Sequence, residues 1–88
     1  MERPLRLLLV STSGKSLDVY TASVRLPTEV GSVGILAGHA PMLCEIRPGI
    51  LQYVTEGDGA VSLEVDAGIA RVSNGEVQVL LRDFEDGT

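Results

Sequence analysis

His39 and Cys44 are the chain's one histidine and one cysteine, and five residues apart they have the types of a base and a nucleophile. That chemistry also needs a third group to orient the imidazole, and none lies within sequence reach. His39 therefore reads as a loop residue whose ring bonds neighbouring backbone groups or meets a partner, and Cys44 as a small buried hydrophobe. Gly31, Gly34 and Gly38 resemble the spacing of a phosphate cradle, but a P-loop ends in Gly-Lys-Ser/Thr at the mouth of a helix, and neither follows here. They read as glycines that let a loop between strands take positive φ. The carboxylates of Asp58, Glu64, Asp66, Asp83, Glu85 and Asp86 could share a metal ion or a proton. Three of them crowd the terminal tail and the rest alternate outward along strands, where solvation is the default. A single cysteine gives neither an intrachain disulfide nor a second thiolate for zinc, and it fits a reducing compartment. The residues thus point to no catalytic group, no cofactor and no metal.

The elements that must position these residues are strands. Apolar and polar residues alternate, with turn signals every eight to twelve residues, as in a sandwich or barrel. Val61, Leu63 and Val65 alternate with Ser62 and Glu64, and Val77, Val79 and Leu81 alternate with Glu76, Gln78 and Arg82. The pattern predicts strands over 5–11, 17–21, 23–27, 34–36, 42–46, 50–56, 60–66, 69–73 and 76–82. No window has a useful 3.6-residue period. Ser13-Gly14, Gly57-Asp58-Gly59 and Asn74-Gly75 are hairpin signals, and Pro48-Gly49 has the Pro-then-Gly order of a type II turn. The fold class expected is all-β: a flattened sandwich or barrel of about eight to ten short, mostly antiparallel strands in one domain, 1–88, with a frayed acidic tail over 83–88.

Four stretches, 7–10, 42–44, 50–51 and 79–81, are apolar at both parities. A sandwich strand has one buried face, so the second parity is either a corner buried on both sides or a surface for another protein. Leu8, Val10 and Leu80 are the foremost candidates for such a surface.

Bulk properties narrow the classes further. The 88 residues carry 44% hydrophobic residues, enough for a core, and that core must be aliphatic because Tyr20, Tyr53 and Phe84 are the only aromatics. A net charge of −5 with seven scattered basic residues argues against nucleic acid. The apolar run near the N-terminus is short, follows Pro4 and Arg6, and lacks a small-residue cleavage site, so it reads as a strand, not a leader. Nothing approaches the ~20 apolar residues of a membrane-spanning helix, so membrane association is expected only indirectly, through a partner.

The segment from Leu26 to Leu43 contains Gly31, Gly34 and Gly38-His39-Ala40-Pro41, followed by Pro48-Gly49. It resembles the signature of the epsilon subunits of F-type ATP synthases, specifically their N-terminal β-sandwich. The stretch from Val65 to Leu80, with Gly68-Ile69 and Asn74-Gly75, is similar to that family's second landmark. The departures are Ala37 where the family usually has Pro, Asp66-Ala67 for Ser-Gly, and Arg71 and Ser32 at positions often acidic. The helical hairpin that commonly follows the sandwich is also absent from this sequence.

The resemblance implies a non-catalytic rotor subunit of the central stalk, coupling the membrane c-ring to the gamma subunit in ion-driven ATP synthesis. It would be a peripheral membrane protein on the cytoplasmic side of the bacterial inner membrane. By analogy the c-ring-facing loop is Thr28, Glu29, Val30, Gly31, Ser32 and Val33, and the gamma-facing surface includes Leu8, Val10, His39, Ala40, Met42 and Leu80. Gly34, Gly38 and Pro41 would shape the intervening loop. Nucleotide binding and inhibition of hydrolysis belong to the family's hairpin and are not expected here. The alternative is a free-standing peptide- or ligand-binding module, for which three aromatic residues are thin material.

Overall fold

A computed structural model describes residues 4–57 and 59–87; Met1, Glu2, Arg3, Asp58 and Thr88, including the middle of the expected 57–59 turn and the end of the tail, lie outside the described residues. Ten strands follow in order: β1 (Leu5–Ser11), β2 (Ser16–Thr21), β3 (Ser23–Thr28), β4 (Gly31–Leu36), β5 (Met42–Ile46), β6 (Gly49–Thr55), β7 (Gly59–Val65), β8 (Gly68–Ser73), β9 (Glu76–Leu81) and β10 (Phe84–Asp86). There is no helix among the described residues. The sheet runs β10-β7-β6-β3-β5-β8-β9-β1-β2, with β4 on β3. All its pairings are antiparallel except β1 with β9.

One narrow joint curls this sheet into two layers. β3 meets β5 only at Thr28 and Ile46, reinforced by the Arg47 N–H donating to the Pro27 carbonyl at 2.9 Å. On one side lie β5, β8, β9, β1 and β2; on the other lie β3, β4, β6, β7 and β10. The core fills from both. Leu5, Leu7, Leu9, Ala70, Val72, Val77, Val79 and Leu81 come from the first layer, and Val24, Leu26, Ile35, Leu51, Tyr53, Leu63, Val65 and Phe84 from the second. These are the inward members of each alternation, which is why a period of two suffices to specify the buried face.

Asn74 and Gly75 have φ of 52 and 75°, and Ser73 pairs with Glu76, so this two-residue hairpin takes the primed turn that matches strand twist. Three sequence expectations need correction. Pro48-Gly49 is not a type II turn: Gly49 lacks positive φ and opens β6 opposite Val65, packed against the Pro27 ring. Gly34 lies inside β4, paired with Arg25 and without positive φ, so it is a strand residue, as the expected 34–36 strand has it, and does not shape a loop.

The tail is not frayed over 84–86. Phe84 is buried and β10 pairs with β7, held by a latch to the β1–β2 turn. There, the Ser13 hydroxyl donates to Asp83 Oδ1 at 2.8 Å, and Lys15 Nζ reaches Asp83 at 3.0 Å and the Phe84 carbonyl at 2.9 Å. Ser13, and then Lys15, hold the Asp83 carboxyl below its ordinary value. In the acidic range the unfolded chain therefore takes up the proton first. The contribution of Asp83 to stability is complete above the ordinary carboxylate range and is lost as pH falls through the lowered folded value. Asp83→Asn should lower the neutral Tm modestly, as befits an exposed pair, and leave the Tm at low pH near that of the parent, so that the acid limb of a Tm-versus-pH curve is flatter. An acid limb as steep as that of the parent chain would remove Asp83 from this role.

Candidate functional site

β1 shows how one strand supplies two apolar faces. Leu5, Leu7 and Leu9 point inward at 0–1% exposure, while Leu8 is half-buried and Val10 exposed on the opposite side. The registers then place outward residues in rows. One row runs Leu43, Arg71, Gln78, Leu8 and Asp18 across β5, β8, β9, β1 and β2; the next runs Glu45, Ile69, Leu80, Val10 and Ser16. Leu8, Val10, Leu43, Ile69 and Leu80 line a shallow depression of about 420 Å³. Leu43 is 68% exposed, Val10 and Leu80 are 50%, and Ile69 is 43%. Isolated exposed aliphatics are ordinary, but five that converge on four neighbouring strands form a patch of the kind proteins use for contact.

Charge frames this face. The Arg6 guanidinium grips Asp18 with two hydrogen bonds, Nε to Oδ1 at 3.0 Å and Nη2 to Oδ2 at 2.7 Å, and Nη1 lies 3.6 Å from Glu76. This fork holds the Asp18 carboxyl below its ordinary value and the Arg6 guanidinium above its own. Arg71 projects from the middle of the first row without an acidic partner in ion-pair range among the described residues.

The structure brings Leu8, Val10 and Leu80 together as the sequence grouped them. Met42 is separate, since it is half-buried against the core on the parity opposite to Leu43. His39, Ala40 and Pro41 belong to the loop between β4 and β5, where Gly38 has φ of 85°. The His39 N–H donates to the Leu36 carbonyl at 3.1 Å, and Nδ1 lies 2.6 Å from the Ala40 carbonyl. A carbonyl only accepts, so Nδ1 carries the proton. The sequence alone does not distinguish Leu43 or Ile69: Leu43 lies within 42–44, which is apolar at both parities, whereas only the register of β8 places Ile69 on this face.

The segment Thr28, Glu29, Val30, Gly31, Ser32 and Val33 is a tight hairpin, not an open loop. Only Glu29 and Val30 form the turn, because Thr28 and Gly31 are strand partners and the Thr28 hydroxyl donates to the Gly31 carbonyl at 2.7 Å. Val33 is half-buried against the core and leaves the tip to its neighbours. Val30 is 89% exposed, and Glu29 reaches Arg47 at 3.7 Å. Burial pushes the Cys44 thiol up, away from reactive thiolate character. No group of three metal-ligating side chains occurs among the described residues.

An all-β sandwich whose distinctive surface is one apolar sheet face defines a class of small interaction domains. This chain belongs to the family described as the ATP synthase delta/epsilon chain, β-sandwich domain, which it matches over residues 4–87. It is 44% identical to an ATP synthase epsilon chain of Bordetella parapertussis over 57 residues, 65% of this chain and 41% of that protein. It is 31% identical to a chloroplastic ATP synthase epsilon chain of Piper cenocladum over 84 residues, 96% of this chain and 62% of that one. The chain thus spans about half the length of the curated relatives it matches. The fold is also that of a chain in the Euglena gracilis mitochondrial ATP synthase, in a structure containing OSCP, F1 and the c-ring. That match has a TM-score of 0.87 and 24% identity, over 94% of this chain and 53% of the other. A chain in the central stalk and c-ring of the Tetrahymena thermophila mitochondrial ATP synthase matches with a TM-score of 0.77 and 15% identity, over 97% of this chain and 68% of the other.

Proposed function

We propose that residues 1–88 act as one rigid, non-catalytic coupling unit in the rotor of an F-type ATP synthase, seated between the gamma subunit and the c-ring. The observation that carries this reading is the outward apolar face of Leu8, Val10, Leu43, Ile69 and Leu80 on a layer whose inward face is already full. That face is assigned to gamma, with His39 and Ala40 at its margin and Met42 supporting it from behind. The Glu29-Val30 tip is assigned to the c-ring, where an exposed valine beside a charged residue can enter a gap between polar loops. Family membership and the stalk assemblies that contain its structural relatives support the rotor reading, and the two surface assignments rest on the exposure of these residues.

The role is mechanical. Torque must pass from a turning ring to the shaft without slip, and two hydrogen-bonded layers sharing one core resist shear together. A stable stalk contact should bury roughly 1,200–2,000 Å² in total, with the apolar centre carrying most of the affinity. The unit would sit at the cytoplasmic side of the bacterial inner membrane, held there only through the complex. It would require no cofactor, metal, nucleic acid or nucleotide of its own. Tyr20 is the one exposed aromatic among the described residues, which leaves little for a free-standing carbohydrate or peptide module.

Leu8→Asp and Leu80→Asp test the gamma contact, because both side chains point away from the core. Each should leave the fold intact by circular dichroism and weaken the gamma complex in gel filtration by at least about tenfold, the effect of losing an interface anchor. Parent-like binding by both would remove this face from the contact.

A further inference from the structure

Beside the apolar face lies an unpaired sheet edge with an unusual lack of protection. The Ser11 N–H donates to the Lys15 carbonyl at 2.9 Å, which makes these two a hydrogen-bonded pair. Antiparallel ladders alternate, so the bonded pairs that follow are Leu9 with Leu17, Leu7 with Val19 and Leu5 with Thr21. Ser16, Asp18 and Tyr20 therefore aim their N–H and C=O groups away from β1. No other strand pairs with β2 among the described residues; the nearest cover is the Ala22 N–H donating to the Val54 carbonyl at the strand's end.

Two further observations mark this edge as incomplete. Leu17 and Val19 point inward yet are only half-buried, although Leu9 and Leu7 opposite them are 0% exposed. Natural edges are usually blunted by proline, a bulge or a free charge. β2 has no proline, its register with β1 is unbroken, and its single charge, Asp18, is already gripped by Arg6. The edge also continues the apolar face, since Asp18 pairs with Leu8 and Ser16 with Val10.

We infer that the gamma partner adds an extended strand to the open edge of β2, so that its contact is a sheet continued across the interface together with the apolar face. This rests on the gamma reading above. The added strand would be apolar on the side that covers Leu17 and Val19 and neutral or basic on the side beside Asp18, as suits a chain of net charge −5. A second copy of this chain fits worse. Antiparallel pairing centred on Asp18 would set two aspartates face to face and bring together two acidic chains.

The test is residue-specific amide exchange by NMR on the full chain, free and bound to gamma. Free, the amides of Ser16, Asp18 and Tyr20 should exchange rapidly while those of Leu17 and Val19 are protected. In the complex the Asp18 amide should slow by at least about tenfold, as for any amide newly held in a ladder. Asp18→Pro supplies the second measurement, because it deletes an outward N–H without touching the β1 ladder, and Asp18→Asn controls for the lost ion pair. Asp18→Pro should bind gamma about fivefold more weakly than Asp18→Asn, the equivalent of one backbone hydrogen bond, with the same Tm. A gamma complex in which the Asp18 amide exchanges at its free rate, or in which the two variants bind alike, overturns the added strand and leaves the gamma reading standing. Failure to form any gamma complex overturns both. Protection of the Asp18 amide that grows with the concentration of the chain alone would assign the edge to self-pairing and overturn the inference.

Discussion

Leu7→Ala should cost about 3–5 kcal/mol of folding stability, the range for a fully buried leucine whose removal leaves a cavity. Leu7 is 0% exposed and lies between Val77 of β9 and Val19 of β2 in the paired strands. Its neighbours are anchored by two backbone ladders, parallel on one side and antiparallel on the other, so they have little freedom to close the gap. At roughly 0.05–0.15 kcal/mol per residue, a chain of 88 residues has a total margin on the order of 4–13 kcal/mol. One side chain thus accounts for a large share, and a urea titration should show the midpoint shifted far to the left. Leu8→Asp, one residue away, should unfold near the parent midpoint because its side chain points out. A Leu7→Ala midpoint close to that of Leu8→Asp would mean that the inward and outward parities of β1 are misassigned, and with them the docking face.

The parity of β1 was legible in the sequence only in part. Alternation named the inward residues of β7 and β9, and Asn74-Gly75 fixed one hairpin, because both signals are local. Leu7 to Val10, apolar throughout, announced a second face without saying which residue belonged to which. That answer came from β9, some 70 residues away, which pairs with β1 in parallel and fills its inward side. The same distance hid Ile69, which joins the face only because β8 lies between β5 and β9. Gly31 and the acidic 84–86 tail looked like loop and fray by composition. Both are strand, because Thr28 ties down the first and the Ser13–Lys15–Asp83 latch the second. Pairing partners far along the chain override local preference at such places.

Gly68 carries a constraint of this non-local kind, and Gly68→Ala should be among the most damaging conservative changes in the chain. Its φ is ordinary, so conformational freedom is not the reason for glycine. Space is. The reversal from β7 to β8 packs directly on the end of β9, where the Asp66 N–H donates to the Asp83 carbonyl at 2.9 Å and the Arg82 N–H to the Ala67 carbonyl at 3.0 Å. A methyl group on Gly68 would run into the Leu80 carbonyl oxygen and come within 2.9 Å of the Leu81 Cα and 2.8 Å of its Cδ2. Two of those three obstacles cannot rotate away, since one is a backbone carbonyl and another a backbone carbon. The strands must separate, at a cost of about 3 kcal/mol for an overpacked core contact. Separation would also part Ile69 from Leu80, which are cross-strand partners at the centre of the face proposed to meet gamma. Gly68→Ala should therefore lower both Tm and gamma affinity, whereas Leu80→Asp lowers affinity alone. Gly34→Ala is the matched control: its added methyl would meet only the guanidinium of Arg25, at 3.6 Å, and that flexible group can yield. Equal stability of the two alanine variants would show that β8 and β9 can part without cost, and the face they share would then be too compliant to transmit torque.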